Sequence, residues 1–135
     1  MKKILRMLAL ISGKSSKLLG AKLAAKLPPL IDAAYVAYEA YFGKLPPNRE
    51  RTDFQVTGYL MADKGRFRDA GLIPGNLRPF VNGRHRGAEF WMNEQKYDYY
   101  RSHLVIHEST HCFMEAIAGE RYYEGLPAWY WEGMA

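Results

Sequence analysis

The feature that most constrains this chain is a pair of histidines four residues apart within a segment of helical periodicity. Residues 107–111 have the sequence HESTH, inside a helix predicted over residues 97–118. On a helix, side chains at i and i+4 lie on one face about 6 Å apart along the axis, so His107 and His111 can bind one metal ion. Glu108 lies about 100° around the helix from His107, beside the metal position, where its carboxylate can accept a proton from water.

This histidine pair favours zinc. Catalytic zinc binds three protein ligands and a water molecule, whose pKa it lowers toward about 7. The single cysteine, Cys112, excludes a multi-cysteine zinc site and an internal disulfide. Because Cys112 points about 100° away from the second histidine, we expect it to be a buried small residue. The alternative to a metal site is a pair of half-buried histidines that form local hydrogen bonds.

An acidic residue on a second helix follows the motif. The sequence PAWYWEGMA begins at Pro127, a residue that the first turn of a helix tolerates, and places Glu132 21 positions after His111. The loop over residues 119–126 is long enough to bring the two helices antiparallel. Because this helix would stop after barely two turns at Ala135, we expect the sequence to be a fragment of a longer protein.

The two motifs together resemble those of a known enzyme family. HExxH followed by P-x-W-x-x-E-G-x-A is similar to the gluzincin metallopeptidases, in particular the peptidase MA-like domains, over roughly residues 30–135. The resemblance implies that Glu132 is the third zinc ligand, beside His107 and His111. It also implies that Glu108 is the general base, which activates water for attack on a carbonyl group of a peptide or protein substrate. The match is specific at these four residues and weak elsewhere.

The resemblance also implies a fold. We expect a zincin-like α+β fold with N-terminal helices, a small, mainly antiparallel sheet, the helix that carries HExxH and a truncated C-terminal ligand helix. An edge strand lines the substrate cleft in this family, and Ala88–Met92 is the candidate. The alternative function is a non-catalytic zincin-like scaffold or binding domain, either metal-binding or metal-free, because the donor that would stabilise an oxyanion is unassigned. The sequence does not choose among the tyrosines Tyr99, Tyr100, Tyr122, Tyr123 and Tyr130.

Basic residues are concentrated at one end of the chain. The net charge is +5, with 19 Lys and Arg against 14 Asp and Glu. Residues 1–31 contain seven basic residues and no acid, whereas residues 32–135 contain 12 basic and 14 acidic residues. A chain that is basic throughout would favour nucleic acid, so nucleic acid is not an expected partner here. Contact of the basic N-terminus with a membrane surface stays open, as does the oligomeric state.

The first segment, MKKILRMLALISG, fits several roles. Its eight-residue apolar run is interrupted by Arg6, and no clear cleavage site follows. A signal peptide, an amphipathic surface segment and a ragged start of the gene model are the alternatives, so cytoplasmic, membrane-associated and secreted locations stay open. We divide the chain into residues 1–29, a basic leader with a first amphipathic helix, and residues 30–135, the metallopeptidase core.

The rest of the pattern predicts helices and short strands. The helical pattern over residues 15–42 is expected to break at Pro28-Pro29 into two helices. The predicted strands are Thr52–Met61, Leu77–Val81 and Ala88–Met92, with a short helix over residues 63–71 and a turn at Asn82-Gly83.

Four further polar residues, apart from the motif, are assigned supporting or surface roles. His103 lies one turn before His107, and because His103 and His111 are about 12 Å apart along a helix, we expect His103 near the cleft rather than on the metal. His85 is predicted to be a solvated loop residue. Glu94 and Asp98 suit the capping and the dipole of the helix start.

Overall fold

A computed structural model describes residues 5–10, 14–45, 47, 54–119, 124–125 and 127–135, with backbone only for residues 5–10, 14–21 and 24. The strands are β1 (Leu5–Leu10), β2 (Val56–Met61), β3 (Gly83–Arg86) and β4 (Glu89–Asn93). The helices are α1 (Lys14–Phe42), α2 (Lys64–Asp69), α3 (Asp98–Ala118) and α4 (Ala128–Met134). This is an α+β fold, as predicted.

The four strands form one mixed sheet in the order β1-β2-β4-β3. β1 pairs parallel to β2, β2 pairs parallel to β4, and β3 pairs antiparallel to β4. The prediction of a mainly antiparallel sheet is therefore wrong. Parallel neighbours need long crossover connections, and here α1 connects β1 to β2 while α2, its following loop and β3 connect β2 to β4.

The N-terminal segment contributes a strand to the sheet. Residues of β1 pair in register from Leu5 with Val56 to Leu10 with Met61. The sequence did not predict this strand, because its partner lies some fifty positions further along the chain. The division proposed after residue 29 falls inside α1.

Helix α1 runs through both prolines without ending, so the predicted break at Pro28-Pro29 is wrong. Proline inside a helix costs about 3 kcal/mol or more through a lost hydrogen bond and steric conflict. The flanking residues Leu27 and Ile31 are both fully buried. Burying an aliphatic side chain of this size contributes about 1.5–3 kcal/mol, so the packing on either side of the prolines offsets much of that cost.

The two faces of the sheet carry two separate apolar clusters. Alternate residues of β2 and β4 point to opposite faces, as the period of a strand requires. The first cluster packs the sheet against α1 and α3 and includes Leu27, Ile31, Val56, Leu60, Phe90, Met92, Val105 and Phe113. The second packs the other face against α2 and the following loop and includes Tyr59, Met61, Phe67 and Trp91.

The short elements follow the predictions only in part. The helix over residues 63–71 is confirmed as α2, capped by the Asp63 side chain, and α3 ends at Gly119, whose φ is +63°. Leu77–Val81 is not a strand. The strand lies instead at Gly83–Arg86, so it begins at the second residue of the turn predicted at Asn82-Gly83.

The position of β4 in the sheet changes which strand can line the cleft. β4 covers most of Ala88–Met92, but it lies between β2 and β3. The edge strand on this side of the sheet is therefore β3, and β1 is the edge strand on the other side. The prediction that Ala88–Met92 forms the edge of the cleft is wrong, because the hairpin from β3 to β4 places β3 outside it.

Among the described residues, no helix is long and apolar enough to span a membrane.

Candidate metal centre

Helix α3 presents His107 and His111 on the side opposite its contacts with the first apolar cluster. Val105, Cys112 and Phe113 are buried in the first apolar cluster, which orients the helix. Cys112 is fully buried, as predicted, and burial raises the pKa of its thiol. The face that carries His107 and His111 is thereby turned toward β3 and α4.

The two residues between Glu108 and His111 anchor the motif in the protein interior. The hydroxyl groups of Ser109 and Thr110 both donate to the backbone carbonyl of Ile106, at 3.0 and 2.7 Å. Thr110 also hydrogen-bonds to the hydroxyl of Tyr38 on α1. Both side chains are fully buried with satisfied hydroxyl groups, so small hydroxyl residues suit these positions.

Three side chains converge on one point in front of α3. His107 Nε2 lies 3.3 Å from His111 Nε2, and Glu132 Oε2 on α4 lies 3.3 Å and 3.6 Å from these two nitrogens. Tetrahedral zinc with bonds of about 2.0–2.1 Å separates its ligand atoms by about 3.3–3.4 Å. Direct contacts of the two histidines with each other and with Glu132 account for these distances, and all three also fit a single bound cation. His107, His111 and Glu132 form a group that could hold a metal ion.

The two histidines are in the protonation state that binds a metal. Burial lowers the pKa of His111 to about 4, and the charges of His85 and His107 act in the same direction. Burial also lowers the pKa of His107, with the charge of Glu132 opposing it. Both imidazoles are therefore neutral at neutral pH, with ring nitrogens available to a cation.

Glu108 is held beside this group rather than in it. Its side chain is buried, and burial raises its pKa to about 7, with a further contribution from the charge of Glu132. A carboxyl group with this pKa exchanges protons readily near neutral pH, which suits a general base. A cation bound nearby would favour the ionised, proton-accepting form.

Gly83 on β3 leaves the space that the Glu108 carboxylate occupies. A Cβ atom at Gly83 would lie 2.5 Å from Glu108 Oε1 and 2.9 Å from its Cδ, well inside van der Waals contact. Any side chain at Gly83 would therefore displace the carboxylate. From its sequence, Gly83 was expected only in a turn.

His85 on β3 packs against the metal group, so the prediction of a solvated loop residue is wrong. Its side chain is 10% exposed, and its ring stacks on that of His111 with centroids 4.6 Å apart. His85 Nε2 lies 3.2 Å from Glu115 Oε2, and Glu115 also accepts a hydrogen bond from the Gly87 backbone. The β3–β4 hairpin is thus tied to α3 one turn beyond His111. Since Gly83 and His85 are two residues apart, strand alternation would have placed them on one face.

These side chains line a cleft of about 340 Å³ between β3, α3 and α4. Its walls are Asn82, Gly83, Arg84, His85, Leu104, His107, Glu108, His111, Trp131 and Glu132. The cleft therefore places an edge strand, a buried carboxylate and three candidate metal ligands around one space.

The remaining candidates lie outside this cleft. His103 lines a separate groove with Tyr99, and its ring centroid is 6.5 Å from that of His107. Glu94 and Asp98 both pair with Arg101, which ties the start of α3 to the chain after β4. Of the five candidate tyrosines, residues 122 and 123 lie outside the described part of the chain, and the other three do not line the cleft.

The chain was compared with known proteins by sequence and by structure. No protein-family model, no curated protein and no solved structure matches it. The case for a function therefore rests on the geometry of the site.

Proposed function

We propose that this chain is a zinc-dependent peptidase of the gluzincin type. His107, His111 and Glu132 hold the zinc ion, and Glu108 acts as the general base. The observation that supports this most strongly is the triangle of ligand atoms with edges of 3.3, 3.3 and 3.6 Å, with the Glu108 carboxylate beside it. The HExxH spacing alone does not place a carboxylate beside both histidines, so the position of Glu132 is a second observation that supports the proposal.

The proposed division of labour follows from where each group lies. Zinc at this site would supply Lewis acidity that acidifies water and polarises a carbonyl group. Glu108 Oε1 or Oε2 accepts the proton of the attacking water and later delivers it to the leaving amine. Gly83 leaves room for that carboxylate, and the burial of Glu108 keeps its pKa close to 7, so both transfers are accessible.

The test separates metal binding from proton transfer. Glu108→Gln keeps a side chain of the same shape but cannot accept the proton, so zinc content should stay at one ion per chain. Hydrolysis of a mixed peptide library should fall by about 10²–10⁴-fold, the usual contribution of a general base. The control is Glu124→Gln, at an exposed position away from the cleft, which should leave both quantities unchanged. Undiminished hydrolysis by the Glu108→Gln protein would contradict the role of Glu108 as general base.

A second candidate is a metal-binding scaffold without turnover. The observation that favours it is that no tyrosine is among the described residues that line the cleft, so the oxyanion donor expected of a peptidase is not identified. The same measurements decide between the two functions. One zinc ion per chain, with no hydrolysis of the library by the unmodified protein, supports the scaffold.

A further inference from the structure

Three arginines line a cavity on β3 next to the metal cleft. The cavity has a volume of about 410 Å³ and is lined by Asn76, Leu77, Arg78, Arg84, His85 and Arg86. No acidic residue is among these lining residues. None of the three arginines is within 4 Å of a carboxylate oxygen elsewhere in the described part of the chain. Arg84 acts electrostatically on Glu108, and Glu89 lies opposite Arg86 in the β3–β4 pairing, but the residues that line the cavity itself carry only positive charge. Such a lining attracts an anionic ligand.

Arg86 is exposed, and two contacts restrict its side chain. Arg86 Nη1 donates to Asn76 Oδ1 at 2.8 Å, and the guanidinium lies over the Trp91 ring, 5.9 Å from its centroid. Trp91 is itself buried and donates to the backbone carbonyl of Leu72. An arginine whose position is already set loses less entropy when it binds a carboxylate.

The cavity and the metal cleft share the edge strand. Arg84 and His85 line both spaces. Gly83 and His85 face α3, so alternation places Arg84 and Arg86 on the opposite face of β3. A peptide lying extended along the free edge of β3 would place alternate side chains toward the metal group and toward the arginines.

We propose that the arginine-lined cavity binds an acidic side chain of an extended peptide, so that the metal cleft acts on acidic peptides. The site of cleavage rests on the proposed function, whereas the binding preference stands on the cavity alone. A peptide is favoured over single-stranded nucleic acid because none of the described residues lining the cavity is a Phe, Tyr or Trp on which a base could stack.

The test measures binding rather than turnover. Glu108→Gln protein is titrated, in metal-free and in zinc-supplemented buffer, against two coumarin-labelled, C-terminally amidated pentapeptide mixtures. Both mixtures are randomised with uncharged residues, and the central residue is Glu in one and Gln in the other. The Glu mixture should bind about threefold to tenfold more tightly, as partly exposed charge-assisted pairs do. This preference should vanish when Arg84→Gln and Arg86→Gln are added and persist with Arg66→Gln, an exposed arginine outside the cavity.

Each other outcome contradicts the proposal. Equal binding of the two mixtures, no binding by either, or a preference that survives the double substitution removes the acidic subsite. A third mixture has a central Gln and a free C-terminal carboxylate. If this mixture binds more tightly than both amidated mixtures, the cavity binds a chain terminus instead of an acidic side chain. If a labelled oligonucleotide binds and its binding requires the same two arginines, while the two peptide mixtures bind equally, the cavity is a nucleic-acid site instead. Failure of the proposed peptidase function shows separately, as absent hydrolysis by the zinc-loaded unmodified protein.

Discussion

The two walls of the cleft are built in different ways. On α3, the positions of His107, Glu108 and His111 follow from their spacing within one helix. On β3, Gly83 and His85 reach the same space only because the strand pairs with β4 in the sheet. The helix wall is therefore defined locally, and the strand wall is defined by tertiary structure.

This difference in construction corresponds to a difference in chemical role. The α3 wall supplies two of the three candidate ligands and the proton acceptor, and the third ligand, Glu132, comes from α4. The strand wall supplies space for Glu108 and a stacking partner for His111. Substitutions on α3 should remove a chemical group from the site. Substitutions on β3 should leave the groups present but displaced, with smaller and more selective effects.

The largest effect is expected on the helix wall. His111→Ala removes one of three ligands, so zinc affinity should fall by more than about 100-fold. Loss of a residue that only hydrogen-bonds to a ligand lowers metal affinity by about 10- to 100-fold, and loss of the ligand itself should exceed that. Competition with a chromophoric chelator measures the affinity. His103→Ala, two turns earlier on the same helix, is the matched control and should change it less than about twofold. Similar losses in the two variants would contradict the assignment of ligands.

An intermediate effect is expected where β3 meets the general base. Gly83→Ala places a methyl group against the Glu108 carboxylate, so hydrolysis should fall by about 100-fold while zinc affinity stays the same. The carboxylate is the end of a flexible side chain, and its displacement should spare the fold. Gly75→Ala, where an added Cβ meets no atom within 4 Å, should retain full activity. Equal activity of the two variants would show that the Gly83 contact does not position the base.

The smallest effect is expected for the stacking partner. His85→Ala removes the ring that packs on His111 and the contact with Glu115, so zinc affinity should fall by about tenfold. His85→Phe keeps a ring for stacking and should recover part of that loss. The cobalt(II) absorption spectrum of each variant reports the ligand geometry independently of activity. An unchanged affinity and spectrum in His85→Ala would reduce His85 to a packing residue.

The same contrast explains what the sequence could predict. The helix with its motif, α2 and α4 were predicted because capping, glycine stops and i to i+4 spacing are local properties. The parallel pairing of β1 and the edge position of β3 were not, because they depend on residues far along the chain. The predicted break of α1 at Pro28-Pro29 was wrong, since the burial of Leu27 and Ile31 offsets much of the cost of proline inside a helix. His85 was missed because its partners, His111 and Glu115, become neighbours only after folding.

The convergence of Glu132 with the two histidines is the central claim, and Glu132 is the most exposed of the three, with a side chain 65% accessible. X-ray absorption at the zinc edge tests it directly on protein loaded with one equivalent of zinc. We expect two imidazole nitrogens, one carboxylate oxygen and one water oxygen at about 2.0–2.2 Å, with loss of the carboxylate in Glu132→Ala. A spectrum that Glu132→Ala leaves unchanged, or a centre with three imidazoles, would contradict it.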